Sequence, residues 1–429
     1  MRTRISSFIF ASLSTLLFAS PSFAQTSDDL FNEDILHEIW IYIAPEDYAT
    51  LKETNFICAE QEMRALRGEE VSSWPRVECH FPIEFHWIFN GIDVTGPEVA
   101  VSSHGQFGRS SIKPTFAVQF DRYESRNTFL GLRRLVLRAN TEDASMMHER
   151  LAMAFFRRMG IPASRESHAR VYINDEYAGA YTIVEDVDPV FIERNFGESS
   201  GYLYGYDMVS AWRFGYLGPD TSNYSPLPFK PKNNLIYTDP FPIEAMVRTT
   251  NQAPDEQFSI AVSQYIDLIA LFRLLAAQNF VAETDSFLGE NGMNNFFLYR
   301  FQNNIRSTFI PWDDSYAFWR FDWDIFHNFQ SNVLTSRALN AAPDLIALYK
   351  DTLRQAADAA GGPGGWLEQE INKEYAQIRE AVYEDQLKIC GGGASLVPCS
   401  NEEFEAAVAH LIGFAQQRAA FVRFQLDGQ

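Results

Sequence analysis

With 429 residues, 46% of them hydrophobic and 14% aromatic, the chain can bury a core large enough for a bilobal domain or two domains. Its 56 Asp and Glu against 35 Lys and Arg give a formal charge of −21. Such a surface repels nucleic acid and anionic lipid, and it also repels ATP at long range, so a nucleotide site here requires a local cationic pocket or metal ions.

The N-terminus reads as a secretory signal over residues 1–24. Arg2 and Arg4 form a basic stretch, Phe8 to Phe18 is mostly apolar, and Ser22-Phe23-Ala24 puts small side chains where a signal peptidase reads them. An uncleaved anchor or a buried N-terminal helix is the alternative. Removal of the segment leaves the mature chain two units more negative. No later stretch reads as a membrane span, because the apolar run Ser263 to Asn279 carries Gln264, Asp267 and Arg273 and fits a buried helix better. The expected location is therefore outside the cytoplasm, periplasmic or secreted. In that setting the four cysteines read as two staples, Cys58 with Cys79 and Cys390 with Cys399, the most economical of three pairings. Zinc is the rival, but neither spacing is of the C-x-x-C kind.

Along the chain, Ile35 to Ile43 has a strand-like pattern and Pro45-Glu46-Asp47-Tyr48 opens a helix. Phe81 to Phe89, Val99 to Ser102 and Thr115 to Phe120 are further strands, with a turn at Asn90-Gly91. A helix is expected from Ala144 to Met159, capped by Asp143 and ended by Gly160. A hairpin then turns at Asn174-Asp175. The Pro-, Asn- and Ser-rich stretch between Asp207 and Pro254 reads as a long surface insertion, near residues 207–256. Helical patterns follow at Ser263 to Asn279, Pro343 to Ala359, Trp366 to Leu387 and Glu402 to Leu426, the last with a Ser400/Glu403 capping box. The division is a sheet-rich lobe over residues 25–187 and a helical lobe over 188–429, an α+β fold with a cleft between lobes. Trp319, Phe321 and Trp323 alternate with charged residues and read as a half-buried strand.

Three segments suggest chemistry. Gly105 to Thr115 contains small residues, including Ser111, whose backbone can approach an anion, and Lys113 adds a charge. Taken alone, a plain hairpin with a surface lysine explains it better. Tyr181 to Pro189 runs an apolar strand into an acidic turn at Glu185-Asp186. Finally, Asp285 follows an apolar helix, Asn294 to Tyr299 reads as a strand, and Phe309 to Asp314 ends a second strand in carboxylates. A hairpin presenting Asp285, Asn295 and Asp313 at one end suits Mg²⁺, a hard ion with oxygen ligands.

Taken in order, these blocks resemble the CotH kinase family. The matching stretches are Gly108 to Phe120, Asp143 to Gly160, the V-Y-I-N-x-E-Y-x-G-x-Y pattern from Val171, Asp285 with Asn294 to Tyr299, and I-P-W-D from Ile310 to Asp313, continuing through Asn332 to Arg337 and more loosely to the helix with Arg418. The resemblance implies an atypical protein-kinase-like bilobal fold that uses ATP and Mg²⁺ or Mn²⁺ to phosphorylate a secreted or envelope protein on serine. It makes Asp285 the catalytic carboxylate and Asp313 with Asn295 the metal ligands. Lys113 and Ser111 would meet the nucleotide phosphates, and Glu185 would line the adenine side. The chain departs from the family pattern at Gln119, where a second lysine is common, at Ser315 in place of the second acid of W-D-x-D, and at His148 in place of arginine. Those losses keep a second reading open, an inactive binding or envelope-assembly protein on the same fold. A hydrolase using Asp313 and Asp314 as a pair is disfavoured, because adjacent residues at a strand end point to opposite faces.

Overall fold

The computed structural model describes residues 25–69, 77–105, 110–391 and 397–428. The expected signal segment, Gly108 and Arg109, and the tip of the loop between Cys390 and Cys399 lie outside them.

Helix α1 (Ser27–Leu30) leads to strand β1 (Leu36–Ile43), helix α2 (Pro45–Leu66), the hairpin β2 (Phe81–Phe89) and β3 (Ile92–Thr95), then β4 (Val99–Ser103), β5 (Phe116–Gln119) and β6 (Arg134–Arg138). Helix α3 (His148–Arg158) intervenes before the hairpin β7 (Glu166–Ile173) and β8 (Glu176–Glu185). The strands run in the order β1-β7-β8-β6-β5-β4-β2, and β1 pairs back onto β2, so the sheet closes into a barrel. Closure pairs both edges of these seven strands, and β3 hangs on β2 as a short hairpin outside the closed ring. Alternation fills the interior: Ile39, Ile41, Phe85, Trp87, Val101, Val118, Leu135, Leu137, Val171 and Ile183 are all buried there. Trp87 keeps its indole satisfied by donating from Nε1 to His37 Nδ1 at 3.1 Å. The two hairpin turns form where expected, with φ of 52° and 75° at Asn90-Gly91 and 50° and 68° at Asn174-Asp175, conformations that Asn, Asp and Gly tolerate.

The second half begins with α4 (Pro189–Phe196), β9 (Tyr202–Tyr206), β10 (Phe229–Pro231), α5 (Phe241–Gln252), α6 (Phe258–Val262) and α7 (Leu268–Phe280). It continues with β11 (Phe296–Arg300), β12 (Ser307–Pro311), α8 (Val333–Ala341), α9 (Pro343–Ala360), α10 (Trp366–Glu384), the short strands β13 (Ile389–Cys390) and β14 (Val397–Pro398), and α11 (Asn401–Asp427). Strands β10-β9-β11-β12 make a second sheet. Helix α7 is largely apolar and buried, with α9 and α3 against it and Ile269 and Arg273 left exposed. Arg418 of α11 is fully buried and donates to the carbonyls of Asn279, Phe280, Phe321 and Trp323, which ties the last helix to the end of α7. None of the described helices is long and apolar enough to cross a membrane.

Several sequence expectations hold with shifted bounds. Asp143 caps α3 from five residues before its first residue, its Oδ2 accepting from the N–H groups of Met147 and His148. Gly160 follows with φ 73°, and Ser400 and Glu403 form the capping box of α11. Cysteines 58 and 79 are bonded with Cα atoms 5.7 Å apart, and 390 and 399 at 4.9 Å. Two expectations fail. The stretch from Asp207 to Pro254 is not a surface insertion, since Trp212, Phe214, Tyr224, Phe229, Ile243, Met246 and Val247 all join the core. Its sparse periodicity reflects an irregular chain, not an exposed one. Trp319 to Trp323 is no strand either. The backbone there turns, leaving Trp319 61% exposed while Trp323 packs inward.

Candidate functional site

A cleft of about 1500 Å³ separates the outer face of the barrel from the second sheet. Its barrel wall follows from strand parity. On β5, Phe116 and Val118 point inward, so Ala117 and Gln119 face the cleft. On β6, Leu135 and Leu137 point inward and Arg134, Val136 and Arg138 face it. The opposite wall is built from Gly205, Lys230 and Lys232, the loop after α7, and the ends of β11 and β12.

Asp285, Asn295 and Asp313 all line this cleft. The loop after α7 carries Asp285, whose backbone N–H donates to Glu283 Oε1 at 2.7 Å. Asn294 and Asn295 each donate a side-chain N–H to Asp285 Oδ2, at 3.0 and 3.1 Å, and Asn295 also donates to the Asp285 carbonyl. The carbonyl of Asn295 accepts from Trp312, the residue before Asp313, at 3.2 Å. One amide residue thus links the two carboxylates through adjacent strand ends. Asn295 and Asp313 hold φ of 55° and 56°, left-handed values that short polar residues adopt most readily among non-glycines. Asp314, one residue on, points the other way and is buried with its Oδ1 accepting from Gln278 at 2.9 Å. The two acids therefore form no hydrolytic pair.

Electrostatics mark the place. Burial, with the Asp313 charge adding to it, pushes the Asp285 carboxyl up to about 6. Glu142, from the turn after β6, is raised to about 7 by burial and by Asp313. Glu149 on α3, Glu283 and Asp314 are raised as well, burial being the main cause for each. A crowd of acids that disfavour one another's ionisation is what a bound cation would relieve. Among the described residues no three acidic, His or Cys side chains form an all-protein metal cage. What the cleft offers is Asp313, Asp285 and the Asn295 amide along one wall. That donor set fits Mg²⁺ or Mn²⁺ shared with phosphate oxygens rather than a closed metal centre.

The structure separates the other expected residues from this group. Lys113 is wholly buried, with Nζ donating to Asp385 Oδ2 at 2.6 Å and to the Ala180 carbonyl at 2.7 Å. It braces the barrel against the segment after α10 and does not line the cleft. Gly179, φ 123°, leaves room for that contact, since a Cβ would land on the Asp385 carboxylate. Ser111 is exposed outside the cleft, while its neighbour Ser110 is buried and accepts from the Lys113 N–H. Glu185 is buried and held by Arg165, whose Nη2 donates to Oε1 at 2.7 Å, and by Arg194. It faces away, and Asp186, on the other side of the chain by alternation, lines the cleft.

Sequence reasoning missed Arg138, Glu142, Glu149, Asn294 and Lys232. The Asn294-Asn295 doublet was visible, and so was the acidic run Glu142-Asp143 after a strand. Nothing in the spacing distinguishes Glu149 from its neighbour Arg150, which turns to the opposite side to meet Glu370 and Glu374.

Comparison with known proteins agrees with the ordered blocks. The family model for CotH kinase protein matches residues 101–422. Inner spore coat protein H of Bacillus subtilis (strain 168) is 25% identical over 299 residues, covering 68% of this chain and 79% of that protein. Inner spore coat protein H-like protein of the same organism is 33% identical over 94 residues, 20% of this chain and 30% of that one. Among solved structures, HipA–HipB with its operator DNA from Shewanella oneidensis MR-1 aligns over 90% of this chain and 74% of that chain, with TM-score 0.32 and 10% identity. The Helicobacter pylori proinflammatory kinase CtkA aligns over 67% and 90%, with TM-score 0.27 and 8% identity. Likeness at that level does not establish a shared fold. The sequence match spans most of the chain and includes every residue of the cleft's acidic wall, so the chain belongs to the CotH kinase protein family.

Proposed function

We propose that this chain is an exported protein kinase that transfers the γ-phosphate of ATP to a serine hydroxyl of a secreted or envelope protein. The observation that carries the reading is the linked pair Asp285 and Asp313, brought to one cleft wall from opposite sides of a hairpin and joined through Asn295. Asp313 and the Asn295 amide would hold Mg²⁺ or Mn²⁺, which neutralises phosphate charge when bound. Asp285 stands beside them as the carboxylate that orients the attacking hydroxyl and accepts its proton. A value of about 6 leaves it ionised at neutral pH yet more basic than an ordinary aspartate. In the transfer the hydroxyl oxygen bonds to the γ-phosphorus, the bond to the bridging oxygen breaks, and ADP leaves. Two disulfides and the expected signal segment support a location outside the cytoplasm.

The test uses the mature protein, labelled ATP and Mn²⁺ or Mg²⁺, beside Asp285→Asn and Asp313→Asn. Each variant should lose at least ~100-fold in label transferred, the order seen when one positioned charged group is removed from phosphoryl or acyl transfer. The wild-type rate should fall as pH drops and Asp285 takes up a proton, with a midpoint at or below about 6 because bound metal favours the carboxylate. Equal labelling by wild type and variants would sink the reading. A second reading, an inactive binding protein, is favoured by Gln119 and Ser315, which line the cleft as neutral groups. Nucleotide bound without any transfer to protein would support it.

A further inference from the structure

Arg138 is a buried cation that the function above does not use. It leaves the end of β6 toward the cleft with its side chain only 11% exposed. Its Nη1 lies 2.8 Å from Asp313 Oδ1, and its Nε is in ion-pair contact with Glu149 of α3. Neither contact completes the guanidinium. Nη2 has no partner among the described residues and is left unsatisfied, while Nε and Nη1 are taken by the two carboxylates. A buried guanidinium with unmet donors in a cleft is costly unless a ligand completes it. Its planar fork matches phosphate oxygens, and it stays charged under all working conditions. Lys113, which could have supplied such a charge, is committed to Asp385.

We propose that Arg138 is a positioning residue that occupies the metal-binding carboxylate of Asp313 in the empty protein and transfers to nucleotide phosphate when metal and nucleotide enter together. This rests on the kinase reading and deepens it. In the empty cleft Arg138 neutralises Asp313, so a divalent ion alone competes with an internal cation and binds weakly. A metal–nucleotide complex brings negative oxygens with it. Arg138 can then exchange Asp313 for phosphate while Glu149 keeps it anchored, and metal and nucleotide bind cooperatively because each removes the other's obstacle. The contact also guards against metal loading without nucleotide.

The proposal has a signature that a merely structural residue lacks: opposite signs in two affinities. Binding of Mn²⁺ alone, read by electron paramagnetic resonance, should tighten about tenfold in Arg138→Met, because a close charge competitor is gone. Binding of a non-hydrolysable ATP analogue with Mn²⁺, read by calorimetry, should weaken about tenfold in the same protein, because a phosphate partner is gone. Glu149→Gln frees the arginine to hold Asp313 harder and should weaken Mn²⁺ alone, which decides the matter should Arg138→Met fail to fold. Both affinities moving together in Arg138→Met, or Mn²⁺ unaffected by Glu149→Gln, would overturn the handover and leave the kinase reading standing. A wild-type protein that binds no nucleotide with or without Mn²⁺ would remove that reading and this one with it.

Discussion

Strands β5 and β6 build two opposite environments at once, and the only difference between them is parity. Their inward residues, Phe116, Val118, Leu135 and Leu137, close-pack in the barrel. Their outward residues, Ala117, Gln119, Arg134, Val136 and Arg138, line an open cleft with many charged groups. The barrel side gains stability from apolar area removed from water, roughly 25 cal/mol per Å². The cleft side gives stability up: it buries a guanidinium without full hydrogen bonding and collects carboxylates that repel one another. The lesson is that a two-residue period lets one strand hold the fold with half its side chains while the other half remains available for chemistry. The compromised half is tolerable because the barrel is closed and over-determined behind it.

Lys113 breaks that partition, and its replacement should give the largest effect on stability. It lies just before β5 and carries charge, yet it belongs to the interior. Lys113→Met leaves the Asp385 carboxylate buried without its counter-ion, and such a loss costs about 3–5 kcal/mol. Chemical denaturation should show that drop, while nucleotide affinity per folded molecule stays within error. A nucleotide affinity that collapses in a stably folded Lys113→Met protein would restore the lysine to the cleft and undo the parity argument at this position.

A paired substitution on neighbouring strands sharpens the comparison. Leu137→Ala, on the barrel side of β6, should cost about 3 kcal/mol, since it removes transfer energy and leaves a cavity in a packed interior. Ala117→Trp, on the cleft side of β5, should leave the denaturation midpoint nearly unchanged and instead fill the space beside Val136 and Phe297. Its readout is loss of nucleotide binding. The reverse assignment, with Leu137→Ala silent in stability or Ala117→Trp unfolding the protein, would show that the two faces are not separate.

The same asymmetry decided what could be read from the sequence. Alternation, turn residues and caps are local, so the barrel strands, the Asn90-Gly91 and Asn174-Asp175 turns, and the α11 capping box were legible. The meeting of Asn295 and Asp313 was legible because one hairpin holds both, and Asp285 joins them from the loop between α7 and that hairpin. Lys113 and Glu185 were misplaced for a common reason. Each partner that captures them, Asp385 for the first and Arg165 for the second, comes from a separate element, and no local pattern announces it. Arg138 was invisible because its meaning depends on α3 and β12 arriving at the same point. The core role of residues 207–254 was hidden by irregular backbone, since aromatic anchors such as Trp212, Phe214 and Tyr224 pack without any period.

The smallest effect expected is in stability against pH, and its sign tests whether the cleft is the strained half. Glu142 is raised to about 7 and Asp285 to about 6, while Glu149, Glu166, Glu283 and Asp314 are also raised, all chiefly by burial. In the unfolded chain these acids titrate near 4. Between about 4 and 7 these acids hold protons in the folded protein that the unfolded chain has released, so their contribution falls as pH rises through that window, while His37, which burial lowers to about 4, acts in the opposite sense below its unfolded value near 6.5. The contribution is present below the unfolded value and lost as pH climbs past the folded one. Exposed acids such as Glu78 and Glu403 are lowered and act in the opposite sense, but only as pH falls toward the ordinary carboxylate range. The unfolding free energy read by chemical denaturation should thus increase from pH 8 down to about 5.5, by an amount on the order of 1–3 kcal/mol. Arg138→Met should steepen that slope, because Glu149 and Asp313 lose the cation between them. Mn²⁺ with an ATP analogue should flatten it by supplying positive charge where protons otherwise would. A profile that rises with pH over this range would mean that the cleft carboxylates are stabilised as ions in the empty protein, and that the barrel does not carry them at a cost.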